Sequence, residues 1–213
     1  MIDHAHPLLL GSSSPRRREI LTTLGLPLRI AAADVDETGR AGEGAGAYLE
    51  RIASAKLDAV RRRAEAAAAG AILVADTAVI LDGQVLGKPR DEADARAMIR
   101  SLSGRQHEVW TRFALAGPAR DLAAAAGPPL HAETVVTRVE FRALAEDEID
   151  GYAATGEGLD KAGAYAIQGI GAFAVARIEG SYSNVVGLPA CEVIAALRGA
   201  GLLPRFPLPP AGA

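Results

Sequence analysis

The segment Gly11-Ser12-Ser13-Ser14-Pro15-Arg16-Arg17-Arg18 packs three hydroxyls and three guanidinium groups into eight residues. Serine hydroxyls and turn amides donate to phosphate oxygens. Arginine forks add fixed positive charge and bidentate donors. Cations in a first helical turn oppose the helix dipole by about 0.3–1 kcal/mol each, and a bound polyanion reverses that penalty. Ser12, Arg16 and Arg17 are therefore candidates for holding a phosphorylated ligand. The competing reading is a solvated basic turn.

Carboxylates supply a second kind of chemistry. Asp76 follows the apolar run Ala71–Ala75 and precedes Thr77. A carboxylate at the carboxyl end of a strand is a candidate base or metal ligand in an α/β sheet, and a turn-capping aspartate is the alternative. Asp34-Val35-Asp36-Glu37 could serve a hard divalent cation or form a solvated acidic loop. Lys56 falls on an apolar helical stripe, where it either snorkels to the edge or meets an anion. Lys88, just before Pro89, is a phosphate contact or an exposed loop lysine. The glycine-punctuated run Leu159 to Gly169 contains Gln168, whose amide pairs a donor with an acceptor and could read a base edge.

The elements that must position these groups follow from pattern. Leu8–Leu10 reads as a buried strand, Ser12–Ser14 as a turn, and Pro15 as the first residue of a helix capped by Ser14 and stopped at Gly25. Ala47 to about Ala69 reads as one long helix with the stripe Leu49, Ile52, Ala53, Leu57 and Val60. Ala71–Ala75 reads as a strand that ends at Asp76. Ala78–Leu81 and Gln84–Leu86 flank the Asp82-Gly83 hairpin signal. Asp91 caps a helix to Leu102. Val109–Leu115 and Thr134–Phe141 alternate as paired strands, with a surface connection over Gly117–His131. Glu146–Ala154 reads as a helix, Ala172–Ile178 as a strand, and Pro189–Leu197 as the last helix. The mixture predicts an α/β fold around a mixed sheet. Residues 1–203 form one expected domain, with the proline-rich 204–213 as a loose tail.

Composition narrows the function classes. A net charge of −3 argues against wholesale nucleic-acid binding, though not against a small anionic ligand. The single cysteine, Cys191, excludes an internal disulfide framework and any zinc site built on several cysteines, and it suits a reducing cytoplasm. No signal peptide and no membrane-spanning run are expected.

Taken together, SSSPRR (12–17), DVDE (34–37), ASAK (53–56), ADTAV (75–79), LGKPRDEADA (86–95), LSGRQHEV (102–109), LDKAGAYAIQG (159–169) and GSYSNVVGLP (180–189) resemble the Maf family, in family order and over nearly the whole chain. The resemblance implies a pyrophosphatase that cleaves the α–β phosphoanhydride of nucleoside triphosphates, with Mg2+ or Mn2+ as cofactor. It implies an elongated mixed β-sheet flanked by helices, with two lobes and a central cleft, like that of inosine triphosphate pyrophosphatases. By position it makes Asp76 the proton acceptor and metal ligand, and Glu37 a second metal ligand. Ser12, Arg17, Lys56 and Lys88 become phosphate contacts, and Arg16, Thr77 and Gln168 tune substrate choice. The run 159–169 is similar to the branch acting on dTTP and UTP. A 7-methyl-GTP pyrophosphatase, a general phosphatase and a nucleotide-binding cell-division regulator stay open, and a homodimer is the assembly implied. Two positions depart from the family pattern: Gly11 stands where alanine is usual, and Ala166 where glycine is usual.

Overall fold

The computed structural model describes residues 1–119 and 127–209. Seven strands form one sheet: β1 (Leu8–Leu10), β2 (Leu28–Ile30), β3 (Ala71–Leu81), β4 (Gln84–Leu86), β5 (Gln106–Ala116), β6 (His131–Phe141) and β7 (Val175–Glu179). Their order is β2-β1-β3-β5-β6-β7, with β4 paired to β3. β2, β1 and β3 run parallel, and every other pairing is antiparallel. The helices are α1 (Pro15–Thr23), α2 (Ala45–Arg61), α3 (Glu92–Leu102), α4 (Glu146–Ala154), α5 (Tyr182–Val186) and α6 (Ala190–Gly199). The mixed α/β class follows as expected.

β3 organises the molecule through its alternation. Leu73 and Ala75 face a core built with Leu21 of α1 and Val193 and Leu197 of α6. Ile72 and Val74 face the opposite way, against Leu57 and Val60 of α2. Farther along, Val79 and Leu81 meet Ala95 and Ile99 of α3 and Ile149 of α4, while Ala78 and Ile80 meet Leu49 of α2. Helices therefore flank both faces of one strand, because side chains two apart share a face.

The expected break at Asp76 does not occur. β3 runs unbroken through Asp76, so the expected strand 71–75 and the first hairpin arm 78–81 are one element. Its partner β5 supplies a continuous ladder, pairing Asp76 with Arg112 and Thr77 with Thr111. The parallel pairing with β1 stops earlier, at Leu10↔Leu73. Asp76 thus lies mid-strand, just past the end of β1.

The long helix is also shorter than its pattern. α2 ends at Arg61, and Arg63 is extended before a 3-10 turn over Ala64–Ala67. That break buries Ala66 completely, and its carbonyl accepts from the Ala119 amide at 3.1 Å. The strand expected from Ala172 starts at Val175 after a 3-10 turn, Ile170–Ala174. The paired strands β5 and β6 extend beyond their expected starts to Gln106 and His131, shortening the surface connection, of which 120–126 lie outside the described residues. Caps fall where the sequence puts them: Ser14 accepts from the Arg17 amide at 3.5 Å, and Asp91 from the Asp94 amide at 2.8 Å. Beyond α6, Phe206 and Leu208 pack against the core that holds α1 and α6. Among the described residues, no helix is long and apolar enough to cross a membrane.

Candidate active site

Where β1 runs out, β3 continues with one polar residue on each face. Asp76 points to the α2 face and Thr77 to the α1 face, as the alternation requires. On the α2 face, the Lys56 ammonium lies 2.6 Å from Asp76 Oδ1 and 2.6 Å from Glu37 Oε1. Lys56 and Asp76 are buried, so the lysine on the apolar stripe meets anions rather than snorkelling. Burial pushes the Glu37 carboxyl up, but the hydrogen bond and charge of Lys56 outweigh it and hold the group below its ordinary range. Tyr48 completes this side, its hydroxyl donating to the Glu37 carbonyl at 3.2 Å. Burial, then the charges of Asp76 and Glu37, push that phenol up to about 12.

On the α1 face, Arg17 is buried and ties three segments together. Its Nε donates to the Gly187 carbonyl at 2.8 Å, one terminal nitrogen to Ser12 Oγ at 3.1 Å, and the other to Thr77 Oγ1 at 3.0 Å. Burial lowers the guanidinium below its ordinary value, and the opposite charge of Asp76 offsets part of that. It stays protonated, as arginine does in proteins. Ser12 Oγ also accepts from the Ser14 amide at 3.2 Å, which leaves the Ser12 hydroxyl proton free to donate. Thr77 Oγ1 lies 2.9 Å from Thr111 Oγ1 and 3.3 Å from the Gly187 carbonyl. Its hydroxyl is engaged wholly within the protein.

These residues line a cleft of about 460 Å3. Nine residues singled out in the sequence line it, Ser12, Arg16, Arg17, Glu37, Lys56, Asp76, Thr77, Lys88 and Gln168, whereas Asp34 and Asp36 of the acidic cluster do not. Lys88 and Gln168 are exposed at its rim. Arg16 crosses to Asp160 at 3.5 Å, joining α1 to the 159–169 segment. The charged lining groups are Arg16, Arg17, Lys56, Lys88 and Lys161 against Glu37, Asp76 and Asp160. Cations exceed anions by two, as a polyphosphate site requires.

The metal question turns on donor chemistry. Among the described residues, no group of three or more His, Cys, Asp and Glu side chains could hold a metal. Glu37 and Asp76 offer two hard carboxylates that converge on one ammonium. That set suits Mg2+, which binds through one or two carboxylates, waters and substrate phosphates rather than an all-protein cage.

The two departures from the family pattern are accommodated differently. A Cβ at Gly11 would come within 2.6 Å of Val60 Cγ2 and 2.7 Å of Val74 Cγ1, so the valines of α2 and β3 fill the space an alanine methyl would take. Ala166 needs no left-handed backbone, and its methyl is buried at the cleft wall. The non-glycine residue that does adopt a left-handed conformation here is Ala164, at φ 60°.

Residues 7–200 match the family model described as Maf-like protein. The chain belongs to the Maf family. Over 204 residues it is 52% identical to a protein of Myxococcus xanthus (strain DK1622) named dTTP/UTP pyrophosphatase, covering 95% of this chain and 94% of the relative. A protein of the same name from Anaeromyxobacter dehalogenans (strain 2CP-1 / ATCC BAA-258) is 52% identical, covering 95% and 96%. Another from Hahella chejuensis (strain KCTC 2396) is 47% identical, covering 92% of each chain. Among solved structures, a HAM1 protein from Coxiella burnetii overlaps this Maf chain partially, at a TM-score of 0.42 and 16% identity over 64% of this chain and 73% of that one.

Several groups of this Maf site carry little signal in the sequence. Thr111 sits on the inward face of β5 between buried Val109 and Phe113, and a hydroxyl in that alternation is the signal that could have marked it. Gly187 and Asn184 come from the GSYSNVVGLP stretch. The buried Asn184 amide donates to Val109 O, Val135 O and Thr137 Oγ1 at 3.0–3.2 Å, pinning α5 so that the Gly187 carbonyl meets Arg17. Tyr48 looks like an ordinary helix aromatic.

Proposed function

We propose that this chain hydrolyses dTTP and UTP to the nucleoside monophosphate and pyrophosphate, using Mg2+ or Mn2+. The reading is carried by the placement of Asp76, which opens from mid-strand onto a cation-rich cleft beside Lys56 and Glu37. The names of relatives that match it nearly end to end supply the base preference.

The triphosphate lies across the Ser12–Arg17 turn, with the Ser12 hydroxyl proton donated to a phosphate oxygen. Glu37 and Asp76 would hold the divalent cation, which when bound draws charge from the phosphate oxygens. Asp76 takes a proton from the water that attacks the α-phosphorus. The new P–O bond forms as the α–β anhydride bond breaks, and pyrophosphate leaves with the electron pair. Lys56 and Lys88 stabilise charge on the phosphates. Arg17 has three of its five N–H donors committed to Ser12, Thr77 and Gly187, so it works chiefly by fixing the turn and by its field. Arg16, Thr77 and Gln168 set substrate choice, Gln168 by pairing with the base edge and Thr77 indirectly, by holding Arg17 through a hydroxyl already engaged within the protein. The exposed free cysteine suits the reducing cytoplasm in which this pool of nucleotides lies. The homodimer is checked by light scattering.

A product assay tests the reading. Protein with Mg2+ or Mn2+ is given dTTP, UTP, CTP, GTP, ATP and 7-methyl-GTP, with pyrophosphate and orthophosphate scored separately. Pyrophosphate with dTMP or UMP is expected. Pyrophosphate from 7-methyl-GTP alone overturns the base preference, and orthophosphate as the first product overturns the reaction.

A further inference from the structure

The loop that carries Gln168 is held from behind by a carboxylate that does not line the cleft. Glu157 Oε1 accepts from the Ile170 amide at 2.9 Å, and Oε2 accepts from the Gly171 amide at 2.9 Å. The Tyr152 hydroxyl donates to Glu157 Oε2 at 2.8 Å and itself accepts from the Ala166 amide at 3.1 Å. Two backbone donors after Gln168 and one before it therefore run to a single Tyr152–Glu157 pair. The 3-10 turn that delays β7 follows directly on this anchored loop, with the Ala172 amide donating to the Gly169 carbonyl at 3.2 Å.

The fit is close enough to dictate composition. A Cβ at Gly169 would lie 1.9 Å from Glu157 Oε1, and one at Gly171 would lie 2.6 Å from Tyr152 Oη. Both glycines are needed so that the loop backbone can approach the pair. Tyr152 is buried and anchored in the core of α3 and α4, whereas Gln168 is exposed at the cleft rim. The pair thus couples a rigid core to an exposed side chain that needs a fixed position to discriminate between bases.

We propose that Glu157, with Tyr152, is a positioning residue for base selectivity, acting on substrate only through the 166–171 loop. The inference rests on the reading that Gln168 meets the base. A carboxylate that accepts two backbone N–H groups and one phenol cannot be matched by an amide, because a glutamine side chain in its place would turn an NH2 group toward one of those donors. The loop would then sample other positions, weakening base recognition while the phosphates and Asp76 stay in place.

Steady-state kinetics of Glu157→Gln and Tyr152→Phe, run beside the parent with Mg2+ and dTTP, UTP or CTP, test this. For Glu157→Gln the KM for dTTP rises about tenfold, the size expected from losing one charged hydrogen bond, and kcat changes less than about twofold. The preference for dTTP over CTP falls in parallel. Tyr152→Phe moves both quantities in the same direction by less, and it keeps the test alive if Glu157→Gln fails to fold. Unchanged KM and preference in a folded variant overturn the role of Glu157, as does a fall in kcat at constant KM. A parent that turns over dTTP beside such variants leaves the functional reading standing. A parent that turns over none of the three overturns that reading and this role with it.

Discussion

The Lys56 ammonium lies 2.6 Å from Asp76 Oδ1, with both side chains buried. One cation therefore compensates the carboxylate that sits mid-strand at the cleft floor, and it shares itself with Glu37 on the other side. The two halves of this pair have different consequences when removed. Asp76→Asn leaves Lys56 its second partner, Glu37. It should lower kcat by about a thousandfold, within the range for losing a general base, while thermal stability and nucleotide affinity hold. Lys56→Met leaves a buried carboxylate without its partner and should cost about 3–5 kcal/mol of stability as well as activity. Urea titrations and kinetics of the two variants measure the contrast. Equal stabilities would show that the pair is not buried in solution.

Arg17 binds the Ser12 turn, β3 and the Gly187 loop through three separate donors. Arg17→Lys keeps the charge and loses the fork. Stability should fall by on the order of 3 kcal/mol, since lysine reaches one of those acceptors and the other two charge-assisted hydrogen bonds are lost. Because Ser12 then loses its anchor, kcat/KM should fall about a hundredfold, as misplacement by an ångström does. Near-parent kinetics would show that the turn is held by other contacts.

Much of this was legible in the sequence. The serine–arginine turn, its Ser14 cap and Pro15, and the chemistry-bearing types at Lys56, Asp76 and Lys88 all follow from local pattern, and they converge on one cleft. The reading of Asp76 as a strand end fails because local pattern cannot see β5, whose ladder carries β3 straight through a polar pair. Arg17 shows a different limit. Its type suggests a solvent-facing phosphate ligand, but its partners lie 60 and 170 residues away, and only the tertiary fold shows that most of its donors are used internally. Glu157 carries no local signal at all, because its acceptor role depends on a loop that turns its amides inward.

The buried His107 sets a pH limit on stability. Burial pushes it down to about 4, and its Nε2 lies 2.9 Å from Tyr165 Oη. The folded state refuses a proton that the unfolded chain accepts at an ordinary pKa of about 6.5. The resulting stability is fully present above about pH 6.5 and is lost as pH falls toward about 4, amounting to on the order of 3 kcal/mol. Melting temperatures should drop over that window. His107→Gln should flatten the slope, and an unchanged slope would place the acid sensitivity elsewhere.

Glu37 is the more exposed of the two carboxylates facing Lys56. Chelation should abolish turnover, and Mg2+ should restore it. Glu37→Gln should raise the Mg2+ concentration for half activity about tenfold or more, because a hard cation loses a charged oxygen ligand. Titration of activity against Mg2+ reads this directly, and an unshifted midpoint would remove Glu37 from the metal site.

Hydrolysis of dTTP in 18O-labelled water, with both products analysed by mass, tests the central claim most directly. Attack at the α-phosphorus predicts dTMP carrying one labelled oxygen and unlabelled pyrophosphate. Label in the pyrophosphate, or labelled orthophosphate beside dTDP, would contradict the placement of the attacking water against Asp76 and the α-phosphate.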